Sequence, residues 1–333
     1  EALVAFVDAA AAGEGLRMSL YEMSKPELFD ALVRARKRGV ELRIVYDAIE
    51  KKRGGYPSED SVPLLQQHGL TDVARGRTGA GLNISHHKFV VHVDAAGAPK
   101  SVWTGSTNWT DNGIYGQSNV GHVVRDPAVA KEYLAWHDAV WADASASAAV
   151  SRKTAMAITK LPDATRTGTT LVLSPRKTVE AVTECAKLTS GGRHLVCFTA
   201  PFAMHDDLEA ALVKTPAQVL GLLNEDGVVG RAMHDAPNTE LASAAAIDER
   251  SVLEAWQKRL HQEALHHSGV FIHTKILLVD PLSDAPVVVT GSANFSTNSS
   301  CSNDENQLFV LGDTAVADVY LGEFMRMFDH YAF

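Results

Sequence analysis

The pattern of apolar and polar positions at the start of the chain alternates between a strand-like period of about two and a helix-like period of about 3.6 residues. Strand-like runs cover 16–21 and 40–47, and a helix-like segment lies between them. This helix has Ser24 as its expected cap, Pro26 in the first turn and Glu27 three residues after the cap. Strands that alternate with helices predict an α/β fold with helices on both faces of a sheet.

The same order of elements returns in the second part of the chain. Strand, helix, strand and strand are expected, in that order, at 194–199, 206–214, 218–224 and near 270–280. Alanine, serine and threonine dominate 144–168, which suggests a linker. We therefore predict two tandem, similar α/β halves at 1–150 and 165–333. Each is expected to be an α-β-α sandwich, and a pseudo-twofold axis is expected to relate them.

The two halves also repeat in their letters. The pair His86 and Lys88 in SHHKFVVHVD recurs 187 residues later in IHTKILLVD. There the equivalent residues are His273 and Lys275. The stretch TGSTNWT recurs as TGSANFS at a shift of 186, and AVAKEYL recurs as AVADVYL at a shift of 187. Three matched blocks in the same order identify an internal duplication.

Composition narrows the class of protein. The chain has 333 residues, 46% of them apolar and 21% charged, which is typical of a globular protein. No apolar run approaches the length of about 18 residues that a membrane-spanning helix needs, so we expect none. The net charge of −9 disfavours a broad nucleic-acid-binding surface. Cys185, Cys197 and Cys301 are expected to be inert thiols, because their spacing fits neither a disulfide framework nor a metal site.

The repeated residues have a chemistry in common. A histidine and a lysine two apart on a strand point to the same face. Downstream, each half supplies a Gly-Ser turn and an asparagine, and cations with neutral donors suit the oxygens of a phosphoryl group. Packing about a pseudo-twofold axis would bring both sets to one pocket. The candidate phosphate-binding residues are Ser106, Asn108, Ser292 and Asn294.

The doubled arrangement of His-x-Lys, Asp and Gly-Ser-x-Asn resembles the phospholipase D superfamily of phosphodiesterases. The resemblance implies a two-step mechanism without metal or cofactor, in which one histidine forms a phosphohistidine and the other protonates the leaving alcohol. Following the commoner assignment in that family, we expect His86 to be the nucleophile and His273 the general acid and then base. The catalytic set that the resemblance implies is His86, Lys88, Asp94, His273, Lys275 and Asp280.

Two departures from the family pattern carry further expectations. Asp280 follows His273 by seven residues, whereas Asp94 follows His86 by eight, so one extra residue is expected as a β-bulge before Asp94. Glu305, thirteen residues after Ser292, resembles the acid that orients the opposite histidine. The first half offers Gln117 or Asn119 in that role.

Several other features have ordinary explanations. His261, His266 and His267 fit a solvated helix better than a metal site. The basic run 34–38 fits a solvated helix face, and 51–53 fits a loop that could border the pocket. Trp103 is expected in the core, and Trp109 is a candidate to line the cleft. The segments expected to flank the entrance are 48–83 and 225–268.

Three functions remain open on the sequence. A phospholipase D-type hydrolase or transferase acting on a phospholipid-like diester leads, because an acidic protein fits a narrow site better than a polymer-binding surface. A nuclease of the same fold is the first alternative, since GSTNWT resembles compact nuclease-like members. A binding protein with an impaired first motif is the second. One site shared by two halves makes a monomer possible. The chain begins at Glu1 without a leader, so its compartment is not readable, although the resemblance slightly favours a secreted or periplasmic protein.

Overall fold

The computed structural model describes residues 1–50, 57–244 and 271–332. The helices are α1 Ala2–Asp8, α2 Pro26–Lys37, α3 Pro57–Gln67, α4 Pro127–Ala142, α5 Ala148–Ile158, α6 Glu180–Ser190, α7 Asp206–Lys214, α8 Arg231–His234, α9 Thr297–Cys301 and α10 Thr314–Tyr331. The strands are β1 Gly15–Leu20, β2 Glu41–Asp47, β3 Ala74–Arg77, β4 Lys88–Val93, β5 Pro99–Gly105, β6 Gly121–Val124, β7 Gly168–Ser174, β8 Leu195–Ala200, β9 Gln218–Leu223, β10 Thr239–Ser243, β11 Leu277–Val279, β12 Val287–Gly291 and β13 Glu305–Leu311.

Two sheets that share the same order over six strands, with β7 added at one edge of the second, confirm the two similar α/β halves. The first sheet runs β3-β2-β1-β4-β5-β6, and the second runs β10-β9-β8-β11-β12-β13-β7. In each sheet three parallel strands adjoin antiparallel ones, with the change of direction between β1 and β4 and between β8 and β11. The motif strands β4 and β11 therefore occupy equivalent central positions.

Helix α2 shows how the local sequence builds one layer. Leu28, Phe29 and Leu32 recur at helical spacing and are buried against the first sheet. The helix begins at Pro26 with Lys25 as its N-cap and no side-chain cap, so the predicted Ser24 cap is wrong. The backbone N–H groups of Ser24 and Lys25 both donate to a carbonyl outside the helix, which keeps the chain extended through Lys25.

The connection between the halves is a packed element. Residues 144–168, expected as a linker, contain helix α5, which lies against α4 and β7. Ala155 on α5 is fully buried in a cluster that includes Leu171 on β7 and Tyr133 on α4. On the same helix, Arg152 donates to the carbonyl oxygen of Arg176 at 2.9 Å. The connection therefore holds the two sheets in a defined relation.

The structure shows where the tryptophans and cysteines discussed above lie. Trp103 and Trp109 are both buried in the core of the first half, so the expected place of Trp109 at the cleft is wrong. Cys185 and Cys197 are buried and Cys301 is partly exposed, all three as free thiols.

Among the residues described, no helix combines the length and the apolar character needed to cross a membrane.

The packing of α5 predicts the effect of a larger side chain. Ala155→Leu adds three carbon atoms to a filled site, and overpacking of this kind costs about 1–3 kcal/mol of unfolding free energy. Ala157→Leu, at an exposed position of the same helix, is the matched control, with a change within about 0.5 kcal/mol. Urea unfolding of both variants measures the difference. Equal midpoints would contradict a packed connection.

Candidate active site

Each motif histidine lies on a segment that pairs with the opposite half. The backbone N–H of His86 donates to the carbonyl oxygen of Asp304 at 2.9 Å. The N–H of His273 donates to the carbonyl oxygen of Ser118 at 3.1 Å. Isolated parallel bridges join Ser85 to Asp304 and Ser118 to residue 272 beside these bonds. Both imidazoles are thus fixed at the junction between the halves.

The His86 imidazole has an acidic partner from the second half. Its Nδ1 lies 2.8 Å from Oε2 of Glu305, which is fully buried at the start of β13. The same carboxylate accepts from Ser292 Oγ at 2.7 Å and from Asn303 Nδ2 at 3.0 Å. Burial raises the pKa of Glu305, and nearby Lys88 opposes this. The pairing directs Nε2 of His86 away from Glu305.

The His273 imidazole has a neutral partner from the first half. Its Nδ1 lies 2.9 Å from Oδ1 of Asn119, which also accepts from Ser106 Oγ at 2.7 Å. Asn119 Nδ2 donates to the carbonyl oxygen of Gly113 at 2.9 Å, so the amide oxygen must face the imidazole and Nδ1 must carry its hydrogen. Burial, reinforced by Lys275, lowers the pKa of His273 well below its ordinary value. The resting imidazole is neutral.

The two motif lysines are buried beside the histidines. Lys88 Nζ donates to the carbonyl oxygen of His86 at 2.7 Å and lies 4.7 Å from the centre of the Tyr21 ring. Burial lowers the pKa of Lys88 to about 7, although Glu305 partly opposes the shift. Lys275 Nζ donates to its own motif histidine in the same way, and burial followed by repulsion from Lys88 lowers its pKa well below the ordinary value. Such a pair of amines favours an anion between them.

Four equivalent positions around the two motifs differ in charge. Two of the four pairs are related by the repeat shift of 186, and the other two lie at the ends of equivalent strands. Asp47 and Asn224 each accept from the backbone N–H of the residue before a motif histidine. Glu22 and Phe202 lie two residues beyond the ends of β1 and β8. In each pair the first residue lies near the first motif and the second near the second motif. The pairs are Glu305 and Asn119, Asp304 and Ser118, Asp47 and Asn224, and Glu22 and Phe202. All four neighbours of the first motif are acidic, and those of the second are neutral.

The Gly-Ser turns hold the partners of the imidazoles. Gly105 and Gly291 adopt φ values of 150° and 144°, and a Cβ at either would meet a backbone oxygen at 2.1 Å or 2.4 Å. The turns direct the hydroxyls of Ser106 and Ser292 back to Asn119 and Glu305. Both serine hydroxyls thus bond the partners of the imidazoles, and their direct contact with phosphate stays a prediction.

The other candidate phosphate-binding residues have different surroundings. Asn108 Nδ2 donates to Oε2 of Glu22, so this amide supports an acid near Lys88. Asn294 borders a pocket beside the motifs. Gln117, the alternative to Asn119, accepts from Asn119 Nδ2 at 3.3 Å and contacts no motif histidine in the bonds described. Asn119 is the residue that the structure brings to the imidazole.

The two motif aspartates lie away from the imidazoles. Asp94 follows β4 at the end opposite Lys88, and its carboxylate accepts from the N–H groups of Ala96 and Ala98 in a turn. Asp280 follows β11, and its carboxylate accepts from the N–H groups of 193–195. The structure thus places both carboxylates in loop-stabilising roles and does not bring them to the site.

The expected extra residue is also placed differently. β4 pairs with β1 without interruption from Lys88 to Val93, so β4 itself contains no bulge in that pairing. The register shifts against β5, where His92 pairs with Ser101 and Val93 pairs with Pro99. The residue left over in that pairing is Lys100 on β5. The first motif therefore keeps the strand geometry of the second.

Several residues that surround the motifs were not predicted from the sequence. The missed residues are Tyr21, Glu22, Asp47, Arg77, Phe202 and Asn303. Most of them lie at or just beyond a strand end, which was an available signal. Arg34 and Arg38 both form ion pairs with Asp8, and Arg36 forms one with Asp72, so acids offset part of the charge of the run 34–38. His261, His266, His267 and 51–53 lie outside the described residues.

Comparison with known proteins agrees with this geometry. A family model for the cardiolipin synthase PLD-like domain matches residues 7–141 and 197–328. The chain belongs to the phospholipase D superfamily. Over 131 residues it is 28% identical to mitochondrial cardiolipin hydrolase of Mus musculus, covering 39% of this chain and 53% of that protein. The Canis lupus familiaris protein of the same name gives the same identity over 46% of its length, so the chain spans about half the length of these curated relatives.

Two solved structures show a similar fold over nearly the whole chain. Phosphatidylserine synthase of Haemophilus influenzae matches with a TM-score of 0.64 at 10% identity. The match covers 98% of this chain and 84% of the synthase chain. Polyphosphate kinase of Porphyromonas gingivalis has a TM-score of 0.60 at 11% identity and covers 98% of this chain and 47% of its own. At these identities the likeness is one of fold alone.

The placement of Asp280 predicts a stability defect without a catalytic one. Burial opposes its charge, but three backbone N–H groups lower the pKa of Asp280 below its usual range. Asp280→Ala should lower the unfolding free energy by about 1–3 kcal/mol at neutral pH. Because a lowered acid pKa stabilises the fold only above that pKa, the difference from wild type should shrink as the pH falls through it.

The matched control is Asp284→Ala, an exposed acid in the same loop. Its unfolding midpoint should stay near wild type. The turnover of folded Asp280→Ala protein on a simple phosphodiester should remain within about twofold, since the carboxylate touches no reacting group. A hundredfold loss in protein shown to be folded would return Asp280 to the chemistry.

Proposed function

We propose that this protein is a metal-independent phosphodiesterase that acts on a phospholipid-like diester through a phosphohistidine intermediate. The observation that carries the proposal is the pair of imidazoles at one junction, each held through Nδ1 by a different partner from the opposite half. His86 has Glu305, and His273 has Asn119. The reaction needs two histidines with different roles, and these unlike partners supply the difference.

In the first step, His86 acts as the nucleophile. A carboxylate that accepts from Nδ1–H raises the basicity of Nε2, so the Glu305 pairing favours attack by His86 Nε2 on phosphorus. The P–O bond to the alcohol breaks as the N–P bond forms. His273 gives a proton to the departing alcohol oxygen. The products of this step are the free alcohol and a phosphoryl group on His86.

His273 begins neutral and must gain a proton before it can act as an acid. A bound phosphodiester anion near His273 favours the charged imidazolium, which counteracts the burial that lowers its pKa. After the alcohol leaves, the neutral imidazole of His273 takes a proton from water, which attacks phosphorus and releases His86. A second alcohol in place of water gives transfer instead of hydrolysis.

The lysines neutralise charge on the phosphoryl oxygens. Lys88 and Lys275 are buried, and their ammonium groups are stabilised when an anion lies between them. Three of the acidic neighbours of the first motif, Glu305, Glu22 and Asp47, raise the pKa of Lys88. Of these three, Glu305 also raises the pKa of Lys275. Lys88 is therefore the lysine that carries a positive charge before substrate binds, and Lys275 becomes charged as substrate binds.

A lipid-like diester is favoured over a polymer. The net charge is −9, and the three arginines of the basic run 34–38 are engaged in ion pairs with Asp8 and Asp72, which disfavours binding of a phosphate backbone there. Cardiolipin hydrolase and phosphatidylserine synthase are among the relatives and structural neighbours, which supports a lipid diester. Cleavage of single- or double-stranded DNA without lipid turnover would reverse this preference.

The division of roles can be tested by trapping the intermediate. In His273→Ala protein, bis(p-nitrophenyl) phosphate should still phosphorylate His86, because p-nitrophenolate leaves without an acid. Hydrolysis of the adduct then lacks its base, so a burst of about one equivalent and a stable phosphohistidine at His86 are expected. Mass spectrometry locates the adduct. His86→Ala should give neither burst nor adduct, and an adduct on His273 would reverse the assignment.

The pH dependence tests the role of Lys88. Its pKa of about 7 means that the ammonium is lost as the pH rises through that value. With the cation required, kcat/KM of the free enzyme should fall about tenfold per pH unit on the alkaline side.

Removing the charge that raises this pKa should move the alkaline limb. Glu305→Gln is expected to shift it to lower pH in addition to slowing the reaction. Glu180→Gln, which removes an acid that pairs with Arg176 instead, should leave the limb in place. An unshifted limb in Glu305→Gln protein would show that another group titrates.

A further inference from the structure

A second histidine of the first motif is buried directly after His86 and has no part in the two proposed chemical steps. His87 is 1% exposed, and its ring lies edge-on to Phe89 and Trp136 with centroids 5.2 Å and 5.4 Å away. Burial lowers the pKa of His87 to about 3, so the imidazole is neutral near pH 7. Of its two nitrogens, Nδ1 alone has a partner among the described residues, and that partner is Asn306 Nδ2 at 3.1 Å.

The side-chain amide of Asn306 is buried and bonded at both ends. Its Oδ1 accepts from Tyr133 OH at 3.0 Å and from Thr104 Oγ1 at 3.1 Å. Its Nδ2 lies 3.1 Å from His87 Nδ1 and 3.2 Å from Ser292 Oγ. An amide with two partners at its oxygen and two at its nitrogen has its full set of hydrogen bonds and is held in one orientation.

The hydrogen positions follow from Ser292. Its hydroxyl has a single hydrogen, which is donated to Oε2 of Glu305 at 2.7 Å, while its oxygen accepts from the backbone N–H of Asn306 at 3.0 Å. The atom of the Asn306 amide that faces Ser292 must therefore be a donor, the NH₂ group. The second hydrogen of that group points to His87. His87 Nδ1 is thus an acceptor, and the hydrogen of the neutral ring is on Nε2.

The second motif lacks this side-chain network. The residues equivalent to His87 and Asn306 are Thr274 and Val120, at the repeat shifts of 187 and 186. In the bonds described, Ser106 accepts from the backbone N–H of Val120 at 3.0 Å and from no side chain. The additional amide donor therefore belongs to the half of the site in which the partner of the imidazole is a carboxylate.

We propose that His87 and Asn306 are positioning residues for the acid that activates the nucleophile. The inference rests on the proposed function, in which Glu305 raises the basicity of His86 Nε2. Two N–H groups of Asn306 fill the acceptor sites of Ser292 Oγ and keep its hydrogen on the carboxylate. Without the side-chain amide, this hydroxyl is able to turn to the carbonyl oxygen of residue 306, which lies 3.3 Å away. Glu305 then loses a donor.

The loss of this donor changes how Glu305 titrates. Burial raises the pKa of Glu305, and Lys88, Asn303 and Ser292 lower it. The titratable groups that face this carboxylate are His86, His87, Lys88, Lys275, Asp304 and Tyr21. All of them remain when the Ser292 bond is lost, so the carboxylate and the imidazole bonded to it hold their proton more tightly. The acidic limb of kcat/KM, which reports this pair in the free enzyme, moves to higher pH.

The test measures that limb with bis(p-nitrophenyl) phosphate in variants of the network. Asn306→Val, which introduces the residue of the second half, should raise the limb by about one pH unit, since a hydrogen bond to a charged group is lost. His87→Leu removes the acceptor that holds the amide and should raise it by about half a unit. His87→Asn places an amide oxygen near the position of Nδ1 and should restore the limb of wild type. Thr274→Val, at the equivalent place in the second motif, is the matched control and should leave the limb unchanged.

A double-mutant cycle separates positioning from a general loss of packing. Ser292→Ala should raise the limb as Asn306→Val does, and the two changes together should give no further shift, because both act through one hydroxyl. An unmoved limb in Asn306→Val protein, or the same shift added again in the Ser292→Ala background, would overturn the proposal. If Asn306→Val protein fails to fold, the comparison of His87→Leu with His87→Asn decides, and equal limbs in those two variants count against the proposal.

An NMR titration separates this inference from the proposed function. The pH titration of the His86 ring needs no substrate, and its midpoint should rise in Asn306→Val protein in the same way as the limb. If wild-type protein fails to hydrolyse the diester, the proposed phosphodiesterase function fails while the titration still decides the positioning role. If the diester is hydrolysed and neither the limb nor the His86 midpoint moves, the function stands and the positioning role alone fails.

Discussion

Two hydrogen bonds across the junction between the halves determine the arrangement of this site: His86 Nδ1 with Glu305 at 2.8 Å and His273 Nδ1 with Asn119 at 2.9 Å. Each bond joins an imidazole of one half to a partner of the other. Neither half alone contains a complete pair, so the site exists only when the duplicated units pack together. Backbone bonds at His86 and His273 fix the same junction, which removes freedom that the reacting groups would otherwise have to lose.

The duplication gives the site its geometry, and divergence gives it direction. A symmetric pair of imidazoles in equal surroundings would titrate alike and would have no reason to divide the roles of nucleophile and acid. Here the backbone positions match, while Glu305 and Asp47 beside the first motif are replaced by Asn119 and Asn224 at the equivalent positions beside the second. A change of side-chain charge at fixed backbone geometry is therefore enough to make two unlike histidines from two copies of one unit.

Much of the fold and the central site residues were predictable from the sequence, because repeated letters mark equivalent positions and strand periodicity marks β1, β2, β8 and β9. The choice of Asn119 over Gln117 was also available in the sequence, because Asn119 follows Ser106 by the same thirteen residues that separate Glu305 from Ser292. The structure shows the contact behind this spacing, in which Ser106 Oγ donates to Asn119 Oδ1. Asp47 was not predictable, because its approach to Ser85 depends on how separate strand ends meet in space. The local pattern of Asp94 resembled that of a catalytic acid, although its carboxylate serves a turn.

The connection between the halves also reaches the site. Arg77 is fully buried, and its guanidinium bonds Asp304 at 2.9 Å together with the carbonyl oxygens of Ala144 and Ala146. Asp304 in turn accepts from the backbone N–H of His86. Breaking a buried ion pair of this kind leaves an uncompensated charge at a cost of about 3–5 kcal/mol. Residues 144–146 are therefore coupled, through Arg77 and Asp304, to the position of His86.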